Sequence, residues 1–342
     1  MAASKHILAL RFSSMGDVAM TVPVIKAFLN QNPDVSVTFV SRPGFSDFFS
    51  DIPRLHYIAA DLNTTYKGFA GILKLYADLK ANTTYDAVAD LHDNLRTKIL
   101  RNLFRLSGTA YQNIDKGRAE KKLLTRFPNK VLKPLKRTVE RYADVFRNLG
   151  FTLDLDYQLV KGPSALTSEI IAVTGKKMKP WIGITPFAQY KGKTFPVEKM
   201  DEVIATLNKQ DVKVFLFGGT ALDEEICARW EQKYNNVVSV VRRLNMRQEL
   251  MLINQLNVML SMDSAGMHLA SLRGTPVVSV WGATHHYAGF LGYGQSEDNI
   301  VAHSIECRPC SVYGNKPCFR KDYACLYNID PQTVVDSLLK FV

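Results

Sequence analysis

The stretch H-I-L-A-L-R-F-S-S-M-G-D-V-A-M-T-V-P-V-I-K-A-F-L (residues 6–29) decides the fold class. The segment H-I-L-A-L predicts a buried strand, and from Val18 onward apolar residues recur at helical spacing. Between them stands S-S-M-G-D, residues 13–17, in which Gly16 allows the backbone to turn tightly. A strand followed directly by a helix is typical of a parallel α/β sheet, here with a polar, acidic turn at the end of its first strand.

The same alternation continues along the chain and divides it into two halves. Short apolar runs rich in Val, Ile and Phe predict strands at about 6–12, 35–41, 56–60, 85–90, 109–114, 181–186, 212–217, 237–241, 258–262 and 276–281. Helical patterns lie at about 17–31, 69–82, 94–105, 139–149, 197–209, 221–234, 246–255 and 265–273. We therefore predict two doubly wound α/β domains, over 1–160 and 175–329, followed by a C-terminal helix over 330–342.

Charge is concentrated in one part of the sequence. The 342 residues carry a formal net charge of +11, and Arg96–Arg141 alone holds 14 Lys or Arg against three acids. Such a segment indicates an anionic partner, which is nucleic acid, anionic lipid or a phosphorylated glycan, unless it forms solvated helix faces. No apolar run reaches the ~18 residues of a membrane helix, and the N-terminus lacks the pattern of a signal peptide, so we expect a cytoplasmic protein.

Ligands of open α/β sheets bind at the carboxyl ends of the strands, so the strand-to-helix turns are where chemistry is expected. In the second half, S-M-D-S-A-G-M-H (residues 261–268) is the strongest candidate for a phosphate site, because small residues there open a helix with unpaired N–H groups. An acid of another turn, Glu224 or Glu225, is the candidate for a ribose diol. No turn has the G-x-G-x-x-G or P-loop pattern. The candidate nucleotide-binding residues are Thr185, Lys193, Glu224, Asp263, Ser264, Ala265, Gly266, His268 and Thr284.

Four motifs occur together in the chain: S-S-M-G-D (13–17), K-T-F-P (193–196), D-S-A-G-M-H (263–268) and W-G-A-T (281–284). In their order and spacing the chain resembles glycosyltransferase family 9, the ADP-heptose:lipopolysaccharide heptosyltransferases. The resemblance implies the GT-B fold, two Rossmann-like domains facing a central cleft, with the acceptor bound by the N-terminal domain and the nucleotide sugar by the C-terminal one. It also implies inverting transfer of a heptose or related sugar, from ADP-heptose to an anionic lipopolysaccharide core or lipid A acceptor, with no metal or cofactor.

The resemblance also gives roles to individual residues. Asp17 matches the family's general base, which must lie near the acceptor hydroxyl, unless it does no more than cap the following helix. Lys193 would neutralise the departing diphosphate, and Ser13, Ser14 and Gly16 would hold the donor diphosphate or the acceptor. For the anionic acceptor the candidates are His92, Arg96 and Lys98. The basic segment Lys116–Lys136 would rest on anionic lipid at the cytoplasmic face of the inner membrane.

Four cysteines near the C-terminus have the spacing C-x2-C-x7-C-x6-C: Cys307, Cys310, Cys318 and Cys325. The first pair suggests a zinc knuckle, although the second pair does not match one. Disulfides are disfavoured in the cytoplasm. We expect a structural role, through a metal or through disulfides, rather than a catalytic one.

Two other functions compete with glycosyl transfer. A nucleotide-sugar epimerase has the same two-domain architecture but needs no basic acceptor face. A basic nucleic-acid-binding protein would explain the charge, but residues 96–141 lack interleaved aromatic residues and any known nucleic-acid-binding module. We therefore expect no nucleic-acid partner.

Overall fold

The computed structural model describes residues 5–162 and 165–342, which form two compact units. The first unit comprises the chain up to Lys116 together with Arg137–Asp156. The second comprises Gly117–Lys136 and Tyr157–Val342. The division differs from the expected one in one respect: residues 117–136, assigned to the N-terminal domain from the sequence, pack with the second unit. The boundary expected between the two domains, after residue 160 and before residue 175, includes residues 163 and 164, which lie outside the described residues.

The first unit is a parallel sheet of five strands covered by helices. Its strands are β1 (Lys5–Leu10), β2 (Val35–Ser41), β3 (Leu55–Ala59), β4 (Ala87–Asp90) and β5 (Ala110–Asn113). Its helices are α1 (Met15–Ala19), α2 (Thr21–Gln31), α3 (Gly68–Asn82), α4 (Leu95–Leu106) and α6 (Thr138–Arg147), with a 3₁₀ turn at Pro43–Phe48. The strand order β3-β2-β1-β4-β5 places β1 at the centre, where Ile7 to Leu10 are fully buried.

One predicted helix is divided in the structure. The pattern over 17–31 forms two helices, α1 and α2, which meet at Met20. Pro23 lacks an N–H group and is tolerated in the first turn of a helix, so a helix that begins at Thr21 accommodates it. The turn after β1 is therefore followed by a helix of just five residues.

The second unit is a parallel sheet of six strands. Its strands are β6 (Trp181–Thr185), β7 (Lys213–Leu216), β8 (Val237–Ser239), β9 (Val258–Met262), β10 (Val277–Val280) and β11 (Ile300–Val301). Its helices are α5 (Arg118–Leu124), α7 (Ser168–Thr174), α8 (Val197–Leu207), α9 (Ala221–Lys233), α10 (Met246–Gln255), α11 (Ala265–Leu272), α12 (Ala324–Tyr327) and α13 (Pro331–Leu339). The order β11-β10-β9-β6-β7-β8 places β6 and β9 side by side, with Thr185 opposite Ser261.

All ten predicted strands are present, and the expected doubly wound architecture is confirmed. Four short elements were not predicted, because segments of this length are too short to show a hydrophobic period. They are the two-residue strand β11 and the helices α5, α7 and α12. Among the described helices, none is both long and apolar enough to cross a membrane.

Candidate functional site

In the first unit, Asp17 is held in place by contacts with Ser14 and Arg11 at the carboxyl end of β1. Its Oδ2 atom accepts hydrogen bonds from the Ser14 hydroxyl at 2.7 Å and from the Ser14 backbone N–H at 3.2 Å. The same oxygen lies 2.7 Å from Nη2 of Arg11. Asp17 therefore does cap α1, which is the alternative to a catalytic role for this residue. It also keeps 27% of its side chain exposed, so the cap leaves the carboxylate accessible.

Arg11 is the partner that sequence analysis missed. It is buried, its Nη1 donates to the carbonyl of Leu91 at 2.8 Å, and its guanidinium lies 5.7 Å from the centre of the Tyr142 ring. Burial lowers the pKa of Arg11, but Tyr142 and Asp17 outweigh it and raise the pKa above its usual value. Arg11 is thus a fixed cation beside Asp17. The sequence does contain a signal that could have identified Arg11, because a charged residue stands at the end of an otherwise apolar strand.

His92, a predicted acceptor contact, lies in the turn after β4 and faces the protein interior. Its Nδ1 is 3.3 Å from the backbone N–H of Phe12, which joins the ends of β1 and β4. Burial, followed by the charge of Arg11, lowers the pKa of His92 to about 3. The imidazole is therefore neutral at pH 7 and able to accept the Phe12 hydrogen bond.

The other two acceptor candidates, Arg96 and Lys98, lie on the first turns of α4. Arg96 is exposed, and Nζ of Lys98 is 3.6 Å from a carboxylate oxygen of Asp93. The structure thus places His92 on the buried side of the turn and the two cations on its accessible side.

In the second unit, Lys193 and Asp263 form an ion pair. Nζ of Lys193 lies 3.0 Å from Oδ2 of Asp263, and their side chains are 17% and 4% exposed. Gly266 packs so closely on Thr185 that a Cβ atom at Gly266 would be 2.3 Å from the threonine hydroxyl oxygen. Residues from the turns after β6 and β9 therefore come together as the sequence predicted, although their roles stay predictions.

The N-terminus of α11 has the features of an anion site. Its N-cap residue Ser264 makes no side-chain cap hydrogen bond, and its hydroxyl oxygen lies 3.3 Å from that of Ser261. The N–H groups of Ala265 and Gly266 belong to the first turn, which has no acceptor within the helix. These donors and the positive end of the helix dipole favour a phosphate. His268 is buried on the same helix.

The W-G-A-T turn after β10 packs against the 3₁₀ turn Lys191–Lys193. The Ala283 N–H donates to the Gly192 carbonyl at 2.8 Å, and a Cβ atom at Gly282 would be 2.6 Å from that same oxygen. Thr284 is fully buried, and its hydroxyl has no hydrogen-bond partner among the described residues.

Glu224, the candidate for a ribose, lies in the first turn of α9. Its carboxylate is 3.3 Å from Nη1 of Arg242, and both side chains are exposed. The neighbouring Asp223 caps the helix, because it accepts hydrogen bonds from the backbone N–H groups of Gly219 and Thr220. Glu224 is therefore not needed to hold this turn.

The cysteine-containing loop, residues 302–323, supports the turns that carry Lys193 and Thr284. The Cys310 N–H donates to the Ala283 carbonyl at 3.0 Å, and Nε of Arg308 donates to the Gly282 carbonyl at 2.9 Å. Gly314 has a φ of +74°, and a Cβ atom there would be 2.4 Å from Cγ of Lys193. The sequence does not reveal that this loop contacts the turns that carry Lys193 and Thr284, because the accepting atoms are backbone carbonyls, which no residue pattern marks.

Cys307, Cys310, Cys318 and Cys325 line one small cavity under this loop. All are free thiols, so of the two structural alternatives the disulfides are not formed. Burial raises the pKa of the Cys325 thiol to about 12 and also raises that of Cys310. Within the described ranges, no three His, Cys, Asp or Glu side chains are placed to hold a metal ion. The loop is also joined to the W-G-A-T turn by the hydrogen bonds of Cys310 and Arg308.

Residues 72–318 match the model of glycosyltransferase family 9 (heptosyltransferase). The chain belongs to this family. It is 24% identical over 316 residues to lipopolysaccharide core heptosyltransferase OpsX of Haemophilus influenzae. The aligned region covers 88% of this chain and 85% of that protein.

Solved structures agree on the fold of this family 9 enzyme. A family 9 glycosyltransferase from Veillonella parvula has a TM-score of 0.75 at 17% identity, covering 100% of this chain and 98% of that one. The E. coli heptosyltransferase WaaC, solved with ADP, has a TM-score of 0.69 at 20% identity, covering 98% and 100%. The family 9 chain therefore has the GT-B fold that its motifs implied.

Proposed function

We propose that this family 9 enzyme transfers a heptose or a related sugar from ADP-heptose to an anionic lipopolysaccharide core or lipid A acceptor. We further propose that the transfer inverts the anomeric configuration and needs no metal. The observation that carries the proposal is the carboxylate of Asp17, accessible yet held by Arg11 and Ser14 at the end of β1. The relatives support the substrate class: OpsX is a lipopolysaccharide core heptosyltransferase, and WaaC was solved with ADP.

In this mechanism Asp17 takes the proton of the acceptor hydroxyl. The acceptor oxygen then forms a bond to the anomeric carbon, while the bond from that carbon to the diphosphate oxygen breaks and leaves its electron pair on ADP. One displacement inverts the anomeric centre. Arg11 and Ser14 hold the carboxylate in a fixed orientation, so little reorganisation is needed when it accepts the proton.

The departing diphosphate is stabilised by residues of the second unit. The first-turn N–H groups of Ala265 and Gly266 donate hydrogen bonds to the diphosphate at the start of α11. Ser264 and Thr185 supply hydroxyl groups to the same site. Lys193 supplies a positive charge, and Asp263 fixes its position through the 3.0 Å ion pair. Glu224 binds the ribose diol, and His268 and Thr284 complete the donor site. Ser13 and Gly16 shape the turn that holds the acceptor or the diphosphate.

The acceptor is anionic, and we assign its recognition to Arg96 and Lys98 on α4. His92 acts indirectly, because its buried imidazole joins the ends of β1 and β4. We place the enzyme in the cytoplasm, in peripheral contact with the inner membrane that carries its lipid-linked acceptor.

The test is transfer from ADP-heptose to a Kdo–lipid A acceptor in the presence of a chelator, comparing the wild type with Asp17→Asn. Loss of a general base lowers the rate about 10²- to 10⁴-fold, while ADP affinity measured by calorimetry stays unchanged. Asp34→Asn, which changes an exposed acid, is the matched control and keeps full activity. Undiminished transfer by Asp17→Asn would remove Asp17 as the base. An enzyme that binds ADP but transfers nothing would have another donor sugar or acceptor.

A further inference from the structure

Residues 117–136 form an excursion that is anchored on the second unit. Leu124 and Leu135 are buried against Ala288. The Leu135 N–H donates to the Tyr287 carbonyl at 2.9 Å, and Nζ of Lys121 lies 4.4 Å from the centre of the Phe290 ring. The excursion is therefore a fixed part of this unit with a defined outer side.

The outer side of the excursion carries apolar side chains. Leu123, Phe127, Val131 and Leu132 are all exposed, Phe127 to 47%. Phe127 stacks on Phe319, which is 57% exposed, with ring centres 5.5 Å apart. The Val131 N–H donates to the Leu123 carbonyl at 3.1 Å, which joins the two ends of the stretch. We call this set, Leu123, Phe127, Val131, Leu132 and Phe319, the apolar face.

Exposed basic residues accompany the apolar face in the sequence. The excursion holds seven Lys or Arg and one acid, Glu120. The exposed cations of the excursion are Arg118, Lys122, Arg126, Lys133 and Lys136, and three more, Lys316, Arg320 and Lys321, lie within three residues of Phe319 in the sequence. Arg320 is paired with Asp322. Grouped exposed apolar side chains of this kind mark an interaction site on a protein surface.

We propose that the apolar face and its basic rim dock on an anionic lipid bilayer. Long cationic side chains at a bilayer surface lie beside anionic headgroups, while Phe and Leu enter the boundary between headgroups and acyl chains. The surface belongs to the second unit, which we assign to the donor, and not to the unit with Asp17. The inference rests on the proposed function for its biological partner, the lipid-linked acceptor, but the surface itself is independent of which sugar is transferred.

The composition of the face favours lipid over the other anionic partners. Single-stranded nucleic acid is bound through aromatic rings on which bases stack, and here three of the five apolar residues are aliphatic while the two rings stack on each other. Protein interfaces are depleted of lysine, whereas the rim is rich in it. The boundary of a bilayer takes up both aliphatic and aromatic side chains, and its anionic headgroups attract Lys and Arg.

The test is sedimentation of the full-length protein with two kinds of vesicle, one of phosphatidylcholine and one of equal parts phosphatidylcholine and phosphatidylglycerol. The wild type binds the anionic vesicles at least tenfold more tightly. Each Lys removed weakens binding about fivefold, so Lys122→Gln with Lys133→Gln reduces it more than tenfold. The control pair Lys209→Gln with Lys340→Gln, which removes two exposed charges elsewhere, changes it at most a few-fold.

The apolar contribution is tested with Phe127→Ser and Phe319→Ser together. The wild type keeps part of its vesicle binding at high salt, because salt screens the attraction between charges but not the burial of apolar area. This variant loses that part of the binding. Phe69→Ser on α3, which changes a ring that is 62% exposed, is the control and binds as the wild type does.

Three outcomes would overturn the inference: no preference of the wild type for anionic vesicles, equal binding by the variants and the wild type, or binding to RNA that the same substitutions abolish. Heptose transfer to a lipid-free acceptor saccharide is measured in parallel and is unchanged in the variants. If transfer to Kdo–lipid A also fails in every protein while vesicle binding behaves as described, the proposed donor or acceptor is wrong and the membrane surface stands.

Discussion

At the scale of single residues, Lys193 and Asp263 depend on each other. The carboxylate is nearly completely buried and its charge is balanced by the lysine, which would otherwise not be held at the start of α11. A buried ion that loses its partner is strongly destabilising, whereas an exposed pair contributes little. The pair therefore has a structural role beside its proposed role in donor binding.

We expect Lys193→Met to lower the free energy of unfolding by about 3 kcal/mol, because it leaves Asp263 buried and unbalanced. The double variant Lys193→Met with Asp263→Asn recovers most of that loss but binds ADP weakly. Urea unfolding gives the first quantity and calorimetry the second. The matched control is Lys233→Met, which breaks an exposed pair with Asp201 and changes stability by about 1 kcal/mol or less. A Lys193→Met protein as stable as the control would contradict the interdependence.

The sequence predicted Asp17, Lys193 and Asp263 as site residues, because their turns follow strands and carry family motifs. It could not predict the pairings of these side chains. Arg11 contacts Asp17 because Asp17 lies in the short helix α1, whose bounds depend on Pro23. Lys193 contacts Asp263 because their turns follow the adjacent strands β6 and β9. Such contacts depend on strand order, which motifs do not specify.

At the scale of elements, the close contact between α11 and β6 positions the proposed diphosphate site. Gly266 allows the helix to lie directly on Thr185, so the first-turn N–H groups start at the level of the strand end. A larger residue must move either the helix or the threonine.

We expect Gly266→Ala to destabilise the protein by about 1 to 3 kcal/mol, although alanine is the better helix former by about 1 kcal/mol. ADP affinity falls as well, because the N–H groups are displaced. The control is Gly219→Ala, where a Cβ atom meets nothing within 4 Å. Thermal unfolding and ADP titration measure both effects. If the two alanine variants behave alike, the contact with Thr185 is not what positions α11.

Element prediction succeeded where the hydrophobic period was long enough. Every strand of four or more residues was predicted, whereas residues 117–136, expected within the N-terminal domain, pack with the second unit. Its anchoring residues, Leu124 and Leu135, are two leucines in a basic segment, and their partner Ala288 lies far along the chain. No local pattern specifies that contact.

At the scale of the whole molecule, a buried histidine that resists protonation is present in each unit: His92 in the first and His285 in the second. Burial, with nearby cations, lowers the pKa of His92 in the first unit to about 3, and likewise that of His285 in the second. The unfolded chain has histidines of ordinary pKa, about 6.5. Between these values the unfolded chain binds more protons than the folded one, so stability falls as the pH is lowered.

We expect the free energy of unfolding to decrease as the pH falls from about 6.5 towards 3, with each histidine adding at most about 1.4 kcal/mol per pH unit. The variants His92→Gln and His285→Gln each reduce this slope. Chemical unfolding at a series of pH values measures the slope. An unchanged slope in both variants would show that the two imidazoles are protonated in the folded protein.

The excursion also affects how the two halves of different family 9 enzymes can be combined in a chimera. The chain enters the second unit at Gly117, leaves it after Lys136 and returns at Tyr157. A chimera that joins the N-terminal half of one enzyme to the C-terminal half of another at residue 160 therefore inherits a foreign excursion, whose leucines must fit a surface with which they did not evolve. Functional hybrids should come from exchanging residues 117–136 together with the C-terminal half, and natural recombination within the family faces the same requirement.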